Sequence, residues 1–75
     1  MININTQLGM RLRYLRKQRK LSQEELAFKA DINKNYYSDL ERGNRNPTLT
    51  ILNKLAIAFD ITLEELLKGI VEYIE

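Results

Sequence analysis

The chain reads as all-α, a compact five-helix bundle, on three observations. Leu8, Leu12 and Leu15 recur at i, i+4 and i+7, the apolar stripe of a helix. Helix-start signals return at Ser22, Asn33, Thr48 and Thr62, where a short polar side chain can accept from the exposed amides of a first turn. Stops follow each stretch: Asp31, Gly43 and Asp60 stand where a helix must end, and Gly69 interrupts the last.

Seventy-five residues make one domain, 1–75. A core of that size supplies only about 3–5 kcal/mol. With no Cys, neither a disulfide nor a thiolate metal site can brace it, so support from a partner subunit is expected. No run is apolar enough to cross a membrane and the N-terminus is no signal peptide; a cytoplasmic protein with no membrane partner is the expectation. The net charge of +2 is unevenly spread. Residues 1–47 hold ten Lys/Arg against five Asp/Glu, and residues 48–75 hold two against five. Six basic groups and no acidic one fall in the first twenty residues. A basic half of this kind suits a polyanion, although a solvated basic helix looks the same in composition.

The first helix spans about residues 6–19. Arg11, Arg13, Lys17 and Lys20 lie mostly off its leucine stripe and are expected in solvent, whereas Arg16 adjoins Leu12 and Leu15. The second, residues 23–30, starts at Ser22, with Glu25 three residues on completing a capping box. Leu26 and Ala27 give it an apolar side, and Phe28 is expected to be partly buried. Gln23 is its first residue, so the amide can reach a phosphate beside the positive end of the helix.

Asn33 caps the third helix, residues 34–42, whose Tyr37 and Leu40 can face inward while Lys34, Asn35, Tyr36, Ser38 and Asp39 face out. An exposed helix face of donors, acceptors and a cation, braced by a second helix across a tight turn, suits a DNA major groove. Lys34 can donate to guanine O6 or N7, Asn35 can pair with adenine N6 and N7, and Asp39 can accept from cytosine N4. Tyr36 can offer its hydroxyl to a phosphate. Residues 43–47, Gly-Asn-Arg-Asn-Pro, form a turn in which Gly43 can be left-handed. Arg45 at its tip can reach the DNA backbone or a minor-groove edge, Asn44 and Asn46 can donate to phosphates or satisfy turn carbonyls, and Arg42 just before it is expected on a phosphate or in solvent.

Thr48 caps the fourth helix, which runs to about Phe59 with Leu49, Leu52, Leu55, Ala56 and Phe59 inward. Thr62 opens the fifth, with a second capping box through Glu65. Residues 48–75 complete the core, yet carry more apolar side chains than one small core requires. Ile57 lies off the stripe, and Leu63, Leu67, Ile70 and Ile74 recur at seam-like spacing. Such a surplus on the acidic half points to a homodimer contact away from the basic face. A tail folded back on its own core is the alternative.

The stretches LSQEELA (21–27), ERG (41–43) and RNP (45–47), with LNKLAIAFDITLEELL (52–67), resemble the Cro/CI-type helix-turn-helix regulators, whose fold is lambda-repressor-like. The likeness covers roughly residues 8–67 and places the helix-turn-helix at 22–43. Two departures are Asp31, where the family more often has Gly, and Lys20, where Gly or Asn is frequent. The resemblance implies an ion pair between Arg16 and Glu41, an Arg fork tying the first helix to the end of the third. It also favours a phosphate role for Gln23, and it makes RNA polymerase a candidate partner through Glu24. Through residues 36–47 and the short length the chain looks most like the restriction–modification controller proteins, which activate and repress their own operon, although phage and mobile-element repressors share the same features.

Catalysis is poorly served. No His or Cys is available as base or soft nucleophile, and no metal-ligand spacing or Gly-rich phosphate loop occurs. The expected function is therefore a sequence-specific regulator that binds double-stranded DNA as a homodimer, with no enzyme activity, metal or cofactor. An antitoxin-type DNA-binding protein and a protein-interaction module that never touches DNA are the competing readings.

Overall fold

A computed structural model describes residues 3–71. Five helices follow one another: α1 (Ile4–Gln18), α2 (Gln23–Ala30), α3 (Lys34–Glu41), α4 (Leu49–Phe59) and α5 (Leu63–Leu66), with no strand among the described residues. All five contribute to one core. Leu12 of α1, Leu26 of α2, Tyr37 and Leu40 of α3, Leu55 and Phe59 of α4 and Leu66 of α5 are each at most 2% exposed. Helix α3 packs on α1 and α2, while α4 packs on α2 and α5.

The caps explain the boundaries. Asn3 Oδ1 accepts from the Thr6 amide at 2.8 Å, so α1 begins two residues earlier than its leucine stripe suggested. Ser22 Oγ accepts from the Glu25 amide at 3.0 Å, and Glu25 Oε1 accepts from the Ser22 amide at 2.9 Å, closing the capping box of α2. Lys20, Asp31 and Asp60 adopt positive φ of 56°, 56° and 59°. A left-handed residue with a Cβ is strained by roughly 1 kcal/mol, least so for Asp, whose side chain bonds locally.

Gly9 was not singled out by the sequence pattern, yet it fixes how α1 meets α3. A Cβ added there would stand 2.7 Å from the Leu40 carbonyl oxygen and against that of Glu41 as well. Both obstacles are backbone at the end of α3, which cannot swing aside. Gly9→Ala is expected to lower stability by about 2 kcal/mol despite the better helix propensity of Ala, as read by urea denaturation. A neutral or stabilising result would show that the two helices can part at no cost.

Several expectations are corrected. Arg11 is not in solvent: its Nη2 donates to the Glu65 carbonyl at 2.7 Å and to Glu65 Oε1 at 3.2 Å, and its Nε to the Leu66 carbonyl at 3.3 Å. A cation is favourable against the exposed carbonyls that end a helix. That contact takes the Glu65 carboxylate, so α5 keeps half of the expected box: Thr62 Oγ1 accepts from the Glu65 amide at 3.1 Å. Phe28 is 86% exposed, because it lies on the outer side of α2 with Glu24, Glu25 and Lys29, opposite Leu26, Ala27 and Ala30. Leu49 is 68% exposed, since it opens α4 beyond the edge of the buried cluster.

The seam does not form as a helix face. Helix α5 has four residues, and Gly69 at φ 80° breaks the path between Leu67 and Ile70. Leu63, Leu67 and Ile70 pack half-buried against the core, while Ile57 is 68% exposed; Ile74 lies outside the described residues. Val71 is tied to α1, its amide donating to Gln7 Oε1 at 3.1 Å and its carbonyl accepting from Gln7 Nε2 at 2.8 Å.

Candidate nucleic-acid interface

Asn33 sets the site. Its Oδ1 accepts from the amides of Asn35 at 2.8 Å and Tyr36 at 3.1 Å, so the first turn of α3 is held by its cap. With Tyr37 and Leu40 buried, helical geometry turns Lys34, Asn35, Ser38 and Asp39 away from the core. Lys34 and Asn35 are exposed, whereas Ser38 and Asp39 are half-buried. After α3 the chain turns at Gly43, φ 79°, and presents Asn44, Arg45 and Asn46, all exposed, beside the helix. Arg45 stands with its guanidinium 5.3 Å from the centre of the Tyr36 ring, near enough for a cation–π contact.

Asp39 does not offer a free carboxylate to a base. Arg42, one turn on, donates to Oδ1, and Arg45 Nε donates to Oδ2 at 3.3 Å. The Arg42 hydrogen bond, with that of Arg45, holds the Asp39 carboxyl below its ordinary value. Arg42 is exposed but paired, rather than simply solvated.

Beneath this face lies a polar cluster that couples three helices. Arg16 Nε donates to Glu41 Oε2 at 2.6 Å and Nη2 to Oε1 at 3.1 Å, while Nη1 donates to the Leu21 carbonyl at 2.9 Å. The two side chains are 12% and 5% exposed. Gln23 Nε2 also donates to Glu41 Oε1, at 3.1 Å, so the first residue of α2 is half-buried and oriented by the carboxylate. Gln23 is therefore not a free terminal amide: one of its two N–H groups is engaged inside. Burial works against ionisation of Glu41, but the Arg16 hydrogen bond, supported by Tyr37 and Gln23, prevails and lowers its pKa. The same bond raises that of Arg16. Burial, and then the neighbouring Glu41, push the Tyr37 phenol well up; its hydroxyl has no hydrogen-bond partner of good geometry.

Half of the basic N-terminal stretch has other work. Arg11 and Arg16 are internal ties, and so is Arg19, whose Nε donates to the Phe59 carbonyl at 3.2 Å while its guanidinium sits 5.1 Å from the Phe59 ring centre. Arg13, Lys17 and Lys20 remain exposed. No cluster of His, Cys, Asp and Glu suited to a metal occurs among the described residues, and no described helix is long and apolar enough to cross a membrane.

Known proteins share this arrangement. The helix-turn-helix family model (HTH_3) matches residues 12–66. The HTH-type transcriptional regulator DdrOP3 of Deinococcus deserti is 46% identical over 63 residues, 84% of this chain, which spans about half (49%) of that relative. Control protein C.MunI of a Mycoplasma species is 41% identical over 71 residues, covering 93% of this chain and 96% of its own. The crystal structure of the restriction-modification controller protein C.AhdI from Aeromonas hydrophila superposes with a TM-score of 0.81 at 45% identity, over 83% of this chain and 94% of that one.

Proposed function

The chain belongs to the helix-turn-helix family of DNA-binding transcription regulators, and we propose that it acts as a homodimer on a pseudo-palindromic operator, as a restriction–modification controller. The observation that carries this reading is the capped first turn of α3, with Lys34 and Asn35 in solvent above a helix whose other face is locked into the core. Two copies related by a two-fold would set their α3 helices into major-groove half-sites about one turn, roughly 34 Å, apart. Lys34 and Asn35 read bases; Arg42, Arg45, Asn44, Asn46, Tyr36 and the α2 end at Gln23 meet phosphates. Ser38, half-buried on the same side, fills the next turn. Exposed Ile57, with the outer edges of Leu63, Leu67 and Ile70, supports pairing on the acidic half. The match to nearly the whole length of a control protein supports the controller role. A DNA target makes the cytoplasm the expected location.

Fluorescence anisotropy with a non-specific duplex across a salt series tests the reading. Affinity is expected to fall steeply with salt, the logarithm of the binding constant declining against the logarithm of salt with a slope of about −9 for ten phosphates neutralised at about −0.9 each. Weak binding that is flat in salt would instead mark a protein-interaction module. RNA polymerase is a further partner through Glu24, exposed one turn from Phe28 on α2. Glu24→Ala should then reduce activation in a reporter assay without changing operator affinity; an intact response dismisses the contact.

A further inference from the structure

Asp39 and the two arginines around it form an arrangement that base reading does not account for. The carboxylate accepts from Arg42 on its own helix and from Arg45 on the following turn, and Arg45 is also placed over Tyr36. Both arginines are more than half exposed, while the Asp39 side chain is 25% exposed and lies beneath them. The three charges sum to +1 where two free arginines would present +2. A carboxylate with one guanidinium on each oxygen offers the same charge-assisted hydrogen bonds that a phosphate would.

We propose that Asp39 is an internal stand-in for a DNA phosphate, holding Arg42 and Arg45 in the free protein and releasing at least one of them only when a backbone phosphate takes its place. This rests on the DNA-binding reading and adds a determinant of affinity to it. On any sequence, docking must break an existing pair before it makes a new one, so non-specific affinity is held down. On the operator, contacts from Lys34 and Asn35 outweigh that exchange. The pairs are surface pairs of small individual worth, which is what a readily exchanged contact requires.

The test compares the full chain with Asp39→Asn and Asp39→Glu by anisotropy, using a non-specific duplex and an operator selected from a random pool, each over a salt series. Circular dichroism melts check that the variants fold. Asp39→Asn should bind the non-specific duplex about three- to tenfold more tightly near 0.1 M salt, with a slope steeper by about one, as expected for one more neutralised phosphate. Operator affinity should rise by a similar factor, leaving the ratio of operator to non-specific affinity near the parent's, because the exchange is made on any sequence. Asp39→Glu, which keeps the charge, should stay near the parent. In an Arg42→Ala, Arg45→Ala background, the effect of Asp39→Asn should vanish.

A parent chain with no salt-dependent DNA binding would remove the DNA reading and this proposal together. Parent binding with an unchanged non-specific affinity in Asp39→Asn would overturn the proposal alone. A loss confined to the operator would also overturn it and assign Asp39 to a base.

Discussion

Glu41→Gln is expected to cost about 3 kcal/mol of folding stability, a large share of the roughly 4–11 kcal/mol available to a domain of 75 residues. The reason is the partner left behind. Arg16 is 12% exposed and directs Nε and Nη2 at the carboxylate, so an amide in its place leaves a largely buried guanidinium without a counter-charge. Its remaining bond, to the Leu21 carbonyl at 2.9 Å, does not neutralise it. The cluster ties the middle of α1, the start of α2 and the end of α3, so the loss falls on the angle at which the recognition helix is held. Replacing both partners by apolar residues, Arg16→Met with Glu41→Leu, should recover most of the loss, because desolvation of the pair offsets much of its Coulomb attraction. Urea denaturation of both singles and the double gives the coupling. A single substitution costing under about 1 kcal/mol would mean that the pair is effectively solvated.

Acid dependence follows with a definite sign. Glu41 titrates below the ordinary glutamate value of 4.5 in the folded chain. A carboxyl depressed by folding contributes stability that is complete above its unfolded pKa and is lost as pH falls through the folded one. Stability should therefore be flat through neutrality and decline below about pH 4.5, with Glu41→Gln removing much of that decline. Asp39, half-buried beneath two exposed arginines, and exposed Glu25 are also depressed and act in the same acid range, weakly where solvent screens them.

How much of this was legible in the residues depends on whether the determinant is local. Caps are local: Ser22, Asn33, Thr48 and Thr62 each accept from the turn they open, and the helices start there. Periodicity located Leu12, Tyr37, Leu55 and Phe59 inside because those positions repeat on one face. What failed was long-range. A helical wheel puts Arg11 off the apolar stripe but cannot say that the carbonyl end of α5, 54 residues away, lies against it. Phe28 reads as half-buried by its size, yet no described residue covers it on the outer face of α2. Gly9 carried the one local hint, a helix-weakening residue beside a leucine stripe, which calls for a packing reason. The basic bias of the first twenty residues looked like a polyanion footprint, while Arg11, Arg16 and Arg19 face other parts of the chain. The candidate site was more readable than the charge, because Lys34 and Asn35 follow directly from where Asn33 starts α3.

Lys34→Ala and Asn35→Ala should each abolish most operator discrimination while leaving the fold intact. Both side chains are in solvent on the first turn of α3, and the cap that fixes this turn belongs to Asn33, which neither change touches. Ala has the better helix propensity, by up to roughly 0.7 kcal/mol, so a loss of binding cannot be unfolding in disguise. One good contact to a base edge is worth about 1–3 kcal/mol of discrimination. In a two-fold dimer each substitution removes that contact twice, for a total of about 2–6 kcal/mol, against a full specific-over-non-specific margin of roughly 4–10 kcal/mol. The two losses should fall on different base positions: guanine-bearing positions for Lys34 and adenine-bearing ones for Asn35. Site selection with each variant reads this as relaxed preference at one symmetric pair of positions, with the salt slope changed by no more than about one per side chain removed. Equal losses on operator and random duplex would place Lys34 on a phosphate and move sequence choice elsewhere on α3. An unchanged operator preference in both variants would mean that α3 does not read the groove through Lys34 and Asn35 of its first turn.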